Sequence, residues 1–261
     1  MTYLRKVRTL AQKAFSFLPF TLALKMAELL RGSQGFGSGA SVSSSGEIAA
    51  IKRLFQGVEH HSLNIFDVGA NRGEYTQALL PIFPNAKFFA FEPSPETFKL
   101  LRKNLAEPTV TTINFGLGER EIERPLYKGN RHARIGSLTK LPMTEEKFTE
   151  IVRIKKLDQF FFDLDIRVID LLKIVVEGHE LDVLKGSVTL LDRRLFKNIQ
   201  FEFGEFNIYT RVFFKDLYDF LRGHGFPISI IKYGRLIPLN SYKPRFEAFA
   251  PTNFIAQLNS S

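Results

Sequence analysis

The sequence predicts an α/β protein built on a doubly wound, mostly parallel sheet. Three observations carry this expectation. Short apolar runs with the look of buried strands alternate with helical patterns, the first run breaks at a glycine-rich turn that opens a helix, and the second ends on a carboxylate. Strands alternating with helices demand crossover connections, which cover both faces of the sheet and leave the carboxyl ends of the strands free to meet a ligand.

Taken in order, Glu47 to Gln56 reads as a helix and Asn64 to Val68 (NIFDV) as a buried strand stopping at Gly69. A second strand, Lys87 to Phe91 (KFFAF), ends at Glu92, and Pro95 to Leu105 is a helix with Phe98, Leu101 and Leu105 at three- and four-residue spacing. Val110 to Phe115 gives a third strand. From Glu119 to Phe162 the pattern loosens, which predicts an insertion and lid. The strongly apolar strand Val168 to Val176 follows, then helix Leu181 to Leu190, strand Ile199 to Phe203, helix Phe213 to Leu221, and strands Ile228 to Tyr233 and Asn253 to Leu258. The count is seven strands, with no internal repeat.

With 261 residues, 44% hydrophobic and 24% charged, the chain suits one domain plus a small appendage and excludes a largely disordered, fibrous or polytopic membrane protein. The absence of cysteine excludes a disulfide framework, a thiolate metal site and a cysteine nucleophile, and fits the reducing cytoplasm. Of the net charge of +9, residues 1–32 hold +5: Arg5, Lys6, Arg8, Lys13, Lys25 and Arg31 against Glu28. Such a segment is attracted to an anionic membrane, a polyanionic glycan or nucleic acid, and so predicts peripheral contact without choosing the partner. The apolar run Ala14 to Leu30 is interrupted by Pro19, Lys25 and Glu28, and its clean part is about half the ~20 residues that span a bilayer. It reads as a surface-seeking helical appendage rather than a span or a secretory leader. The stretch Gly32 to Gly46 (GSQGFGSGASVSSSG) reads as a linker, dividing an appendage over residues 1–45 from a main domain over 46–261.

In FDVGANRGEYT, Asp67 stands near the end of the first strand and Gly69, Asn71 and Gly73 occupy the turn before the next helix, which Tyr75 helps open. The spacing is G-x-x-x-G, not the G-x-G-x-x-G of a dinucleotide site, which argues against a nicotinamide-dependent oxidoreductase. A carboxylate beside the turn repels phosphate but suits a cationic ligand such as S-adenosylmethionine. Glu92, 25 residues after Asp67 and followed by Pro93 and Ser94, stands where a carboxylate accepts hydrogen bonds from both ribose hydroxyls.

In DLLKIVVEGHE, the period of two puts Lys173, Val175 and Glu177 on one strand face, with His179 and Glu180 opening the next helix. His179, Glu177 and Lys173 form the expected catalytic set: His179 as general base, because imidazole titrates nearest neutrality, and Glu177 to orient it or the substrate. Glu180, with Glu202 and Asn207 of QFEFGEFN, is expected to bind substrate hydroxyls. Arg131, His132 and Arg134 are candidates to clamp an anionic substrate group, with a solvated loop as the plainer reading. Glu177, His179 and Glu180 also offer ligands to a divalent ion as an alternative. The basic surplus leaves a nucleic-acid substrate open, but no aromatic-basic recognition motif accompanies it.

The segments FDVGANRGEYT, FAFEPSPETFKLLRKNL, NFGLGERE and IDLLKIVVEGHELDVLKG together resemble the FkbM family of class I S-adenosylmethionine-dependent methyltransferases, over roughly residues 46–205. The resemblance implies a Rossmann-like seven-stranded sheet with its last strand antiparallel, and O-methylation of a hydroxyl on a sugar, glycan or natural product. It also implies that Asp67, Gly69, Asn71 and Gly73 hold the methionine part, Glu92 the ribose, and Asn114 to Gly118, including Gly116, the adenine. The family's run is KIDVEGHE, whereas this chain has Val175 at the aspartate position. That difference opens a second expectation: a homologue that binds the cofactor but transfers poorly.

Overall fold

The computed structural model describes residues 9, 15–39, 41–58, 63–129, 135–140 and 148–258. Arg131, His132 and Arg134 lie outside the described residues. Helix α1 (Phe20–Gly32) precedes α2 (Glu47–Leu54), β1 (Asn64–Val68), α3 (Glu74–Leu79), β2 (Lys87–Phe91), α4 (Pro95–Asn104) and β3 (Val110–Ile113). Four strands come next, β4 (Gly116–Leu117), β5 (Ile122–Lys128), β6 (Gly136–Ser137) and β7 (Phe148–Lys155). Then follow α5 (Leu157–Phe161), β8 (Ile169–Ile174), α6 (Glu180–Lys185), α7 (Val188–Asp192) and β9 (Phe196–Phe203). The chain continues through α8 (Phe206–Thr210), α9 (Phe214–Gly223), β10 (Ile228–Lys232), β11 (Arg235–Pro238) and β12 (Thr252–Gln257).

Among the described residues the main sheet has eight strands in the order β11-β10-β12-β9-β8-β1-β2-β3. Strands β3, β2, β1, β8 and β9 are mutually parallel, and β12 runs antiparallel to both β9 and β10. The chain therefore winds outward from β1 to one edge and returns beside β1 as β8. The crevice at such a reversal, outside the strand carboxyl ends, is where this architecture takes ligands. The eighth strand is β11, which the sequence count lacks. It hairpins back on β10 through Tyr233 and Gly234, both with positive φ, as a two-residue turn requires. Its residues are mostly exposed, so no apolar run marks it.

The region expected to be loose is instead a second sheet, β4-β7-β5-β6, held by a seven-residue antiparallel register between β5 and β7. The apolar cluster of this sheet is just Leu126, Val152 and Ile154, so charged residues dilute the alternation that announces a strand. The glycine- and serine-rich segment also packs onto the domain: Gly37 N donates to Thr252 Oγ1 (3.0 Å) and Gly39 N to Pro251 O (2.8 Å).

Because β1 alternates, Phe66 and Val68 face one layer while Ile65 joins Ala50, Ile51, Phe55 and Leu79 on the other. Phenylalanine builds most of the first layer: Phe254 lies 4.5 Å from Phe214 and 5.4 Å from Phe201, ring centre to ring centre. Phe254→Ala is expected to lower stability by about 3–5 kcal/mol, because a fully buried ring leaves a cavity that rigid strands cannot close. Urea unfolding followed by circular dichroism measures it.

Candidate functional site

A cleft of about 690 Å³ opens along the carboxyl ends of β1, β2 and β8. One end is walled by Pro93, Thr97, Gly116, Leu117, Leu126, Lys128 and Ile154, and the other by Lys173, Val175, Glu177, His179, Glu202, Glu205, Phe206 and Asn253, with Gly39, Ser41 and Val42 alongside.

The turn after β1 forms because Gly69 N and Ala70 N both donate to Phe91 O, and Gly69 holds φ of 79°. A Cβ there would stand 2.0 Å from Val175 O, so glycine lets the turn pass against the end of β8. Asn71, also left-handed, lines the cleft and gives its N–H to Glu92 Oε2 (3.1 Å). Gly73 does not line the cleft. It begins α3 where a Cβ would press on Leu101 and Leu105, so it serves packing against α4 rather than ligand approach.

Asp67 is fully buried and also absent from the cleft wall. Its Oδ2 accepts from Thr76 Oγ1 (2.8 Å), and Oδ1 pairs with Lys173 Nζ at 3.0 Å, off the line of a hydrogen bond. The expected direct grip of Asp67 on a cationic ligand is thus replaced by a grip on Lys173. Burial alone would lower the lysine pKa, but Asp67 and Glu47 outweigh it and raise it, so Lys173 stays an ammonium and cannot accept a proton. Around it, Tyr75 OH donates to Gln200 Oε1 (2.7 Å), Gln200 Nε2 to Glu47 Oε2, and Ser45 Oγ to Glu47 Oε1 (3.0 Å). Neither Glu47 nor Gln200 carries a motif: Glu47 reaches the cleft wall from α2, and Gln200 lies buried on β9 beneath it.

Glu92 closes β2 with each carboxylate oxygen accepting one backbone N–H, from Asn71 and from Ser94 (2.9 Å), which leaves acceptor capacity toward the cleft. Burial raises its pKa to about 7 against the lowering effect of Ser94, Lys128 and Asn71. Ser94 lies behind the wall: it caps α4 and its hydroxyl donates to Glu150 Oε2 (2.5 Å) while accepting from Lys128 Nζ (2.5 Å). Lys128, 2.9 Å from Glu150 and 3.0 Å from Thr97 Oγ1, joins the second sheet to α4. Asn114 likewise spends its amide on the Glu92 and Pro93 carbonyls and does not line the cleft.

At the other end β8 stops at Ile174 and Glu177 takes φ of 56°, so the period of two does not extend that far. Lys173, Val175 and Glu177 nevertheless all reach the cleft. His179 is held by Asp182, not by Glu177: Nδ1 lies 2.8 Å from Asp182 Oδ2 and Nε2 lies 3.0 Å from Thr139 Oγ1. Asp182 stands one helical turn after His179, a spacing visible in the sequence. Burial opposes its charge, yet the bond to His179 keeps its carboxyl below the usual range.

Two expected substrate ligands are consumed by the backbone. Glu180 Oε1 accepts from Val176 N and Gly178 N, its Oε2 from Asn207 Nδ2, and Asn207 Oδ1 from Gly204 N; neither residue lines the cleft. Glu202 does line it, with Asn253 opposite on β12. Burial and the nearby Glu177 and Glu180 carboxylates push Glu202 up to about 8, and burial with Glu180 pushes Glu177 to about 7. Among the described residues no group of three or more His, Asp or Glu side chains is arranged for a metal ion, so the divalent-ion alternative lacks a donor set.

The model of the methyltransferase FkbM domain matches residues 67–228, from the buried aspartate of β1 to the first residue of β10 and more than half of the chain. The chain belongs to the FkbM methyltransferase family. Over 168 residues this FkbM domain is 30% identical to the hexuronic acid methyltransferase AglP of Haloferax volcanii, covering 61% of this chain and 64% of AglP. It is 27% identical over 142 residues to methyltransferase 1 of Beauveria bassiana, covering 47% of this chain and 57% of that one. The chain thus spans about three-fifths of the length of these relatives. Among solved structures, the precorrin-6y C5,15-methyltransferase of Geobacter metallireducens aligns with a TM-score of 0.46 at 15% identity, over 86% of this chain and 94% of that one.

The raised pKa of Glu202 means that the folded FkbM domain binds more protons than the unfolded chain between about pH 4.5 and 8, so stability falls as pH rises through that window. Thermal melting from pH 5 to pH 8 should show this decline for the natural chain and a shallower one for Glu202→Gln.

Proposed function

We propose that this chain is an S-adenosylmethionine-dependent O-methyltransferase acting on a hydroxyl of a sugar, glycan or similar small-molecule acceptor. The observation that carries the reading is one cleft with a diol-accepting carboxylate, Glu92, at one end and a histidine–aspartate pair, His179 and Asp182, at the other.

The residues fit the donor. Glu92 keeps an acceptor site on each oxygen for the two ribose hydroxyls, and Pro93, Leu117, Leu126 and Ile154 offer apolar surface for a purine beside Gly116. Gly69 and Asn71 bring backbone to the middle of the cleft. When bound, the donor supplies a sulfonium methyl group open to attack by oxygen. The chain's own part is alignment and proton removal. Asp182 fixes Nδ1 as the protonated ring nitrogen, which leaves the Nε2 lone pair to receive the acceptor's hydroxyl proton. In this reading the acceptor hydroxyl displaces the Thr139 hydroxyl, which lies 3.0 Å from Nε2. Glu202, Glu205 and Asn253 present acceptors to the remaining hydroxyls. The sugar class is supported by the name of the relative AglP, a hexuronic acid methyltransferase.

A second reading, in which the donor binds but transfer is inefficient, rests on Val175, which stands on the same wall. Isothermal titration with S-adenosylhomocysteine, together with methyl transfer from labelled donor onto a sugar library, separates the two when Val175→Asp is run beside the natural chain. Transfer by the natural chain supports the first reading, and transfer only by Val175→Asp the second.

Two further outcomes are expected. A diol binds the ionised form of Glu92, so affinity for S-adenosylhomocysteine should fall as pH drops below about 7. Glu92→Gln should weaken that affinity roughly ten- to hundredfold and remove its pH dependence, as read by titration at several pH values. His179→Asn should lower kcat about 10²- to 10⁴-fold while leaving S-adenosylhomocysteine affinity unchanged.

A further inference from the structure

Helix α1 buries none of its 13 residues, unlike the helices that cover the sheet. Its large apolar side chains stand in solvent, with Phe20 76%, Leu29 74% and Leu30 67% exposed, and Phe17 just before it 90% exposed. A cluster of this kind on a folded protein marks a surface that is covered in use. Thr21, Lys25 and Glu28 recur at i, i+4 and i+7 and so share one narrow stripe, while Phe20, Leu22, Leu24, Met26, Leu29 and Leu30 take most of the remaining circumference. At ~20 Å the helix is shorter than the ~30 Å hydrocarbon layer, and among the described residues no helix is long and apolar enough to cross a membrane.

Charge selects the occupant. The sequence of residues 1–32 carries six basic side chains against one acidic. Two copies packed through α1 would oppose these charges, whereas an anionic lipid surface neutralises them and takes up the apolar side chains. The residues just after the helix are tied to the domain: Lys232 Nζ donates to Gln34 Oε1 (2.9 Å), and Phe36 stacks on Phe246 with ring centres 6.3 Å apart. Seven residues past the end of α1, Gly39 lines the cleft where a Cβ would lie 2.9 Å from Glu202 Oε2.

We propose that α1 lies in the headgroup layer of an anionic bilayer with its apolar side chains inserted, which seats the Glu202 end of the cleft beside the lipid surface. The inference is independent of the reaction assigned to the cleft.

Flotation of the full chain tests it, using vesicles of phosphatidylcholine alone and of phosphatidylcholine with phosphatidylglycerol. Flotation with the anionic vesicles, weakened by salt, is expected. The double variant Leu29→Glu, Leu30→Glu should abolish flotation without shifting the thermal melt, since both side chains are exposed. Lys25→Gln and Arg31→Gln should each lower the partition coefficient about fivefold. Absence of flotation overturns the proposal. So does equal binding to neutral vesicles, or self-association in sedimentation velocity that the Leu29→Glu, Leu30→Glu variant removes.

Discussion

The buried ion pair between Asp67 and Lys173 sits where the two central strands meet. The residues are cross-strand partners on β1 and β8, 3.0 Å apart, and both are nearly solvent-free. Removing either partner strands a charge in the interior, which costs several kcal/mol, so the pair fixes the register of the two strands whose ends form the cleft. Everything above it inherits that register: the Gly69 turn passing against Val175, the Asn71 amide reaching Glu92, and the Lys173 ammonium directed at Glu47 and Tyr75.

The pair also divides the cleft electrically. Toward β2 and the second sheet the charges are matched, with Lys128 against Glu150 and the Glu92 carboxylate clasped by two amides. Beyond Lys173 the wall carries Glu177, Glu202 and Glu205, where burial raises Glu177 and Glu202, helped by Glu180 beside Glu177 and by Glu177 and Glu180 beside Glu202. One end is therefore a half-apolar slot and the other a wall of carboxyl groups.

Part of this was legible because it is local. NIFDV and KFFAF are buried on both faces and read as continuous apolar runs, and the turn between Asp67 and Tyr75 announces itself by its glycines. The second sheet was not legible, because β7 buries only Val152 and Ile154 and its remaining positions look like a solvated loop. Nor was the fate of Ser94, Asn114, Glu180 and Asn207. Each carries a polar side chain near a strand end, yet each is spent on backbone groups that the tertiary arrangement leaves in need of partners. Gly32 to Gly46 has the composition of a spacer, but Gly39, Ser41 and Val42 line the cleft, and the segment is held there by Gly37 N on Thr252 Oγ1 and Gly39 N on Pro251 O.

By itself the sequence determined the alternation of strands and helices, the crevice at their carboxyl ends and the placing of Glu92 and His179 on it, since hydrophobic period and glycine position act within a few residues. Tertiary structure alone decided that Asp67 faces a lysine instead of the cleft, that Asp182 rather than Glu177 holds the histidine, and that Glu47, Gln200 and Asn253 share the site. These outcomes rest on which buried polar groups find partners across strands and helices far apart in the chain, and side-chain desolvation is settled only once those elements have packed.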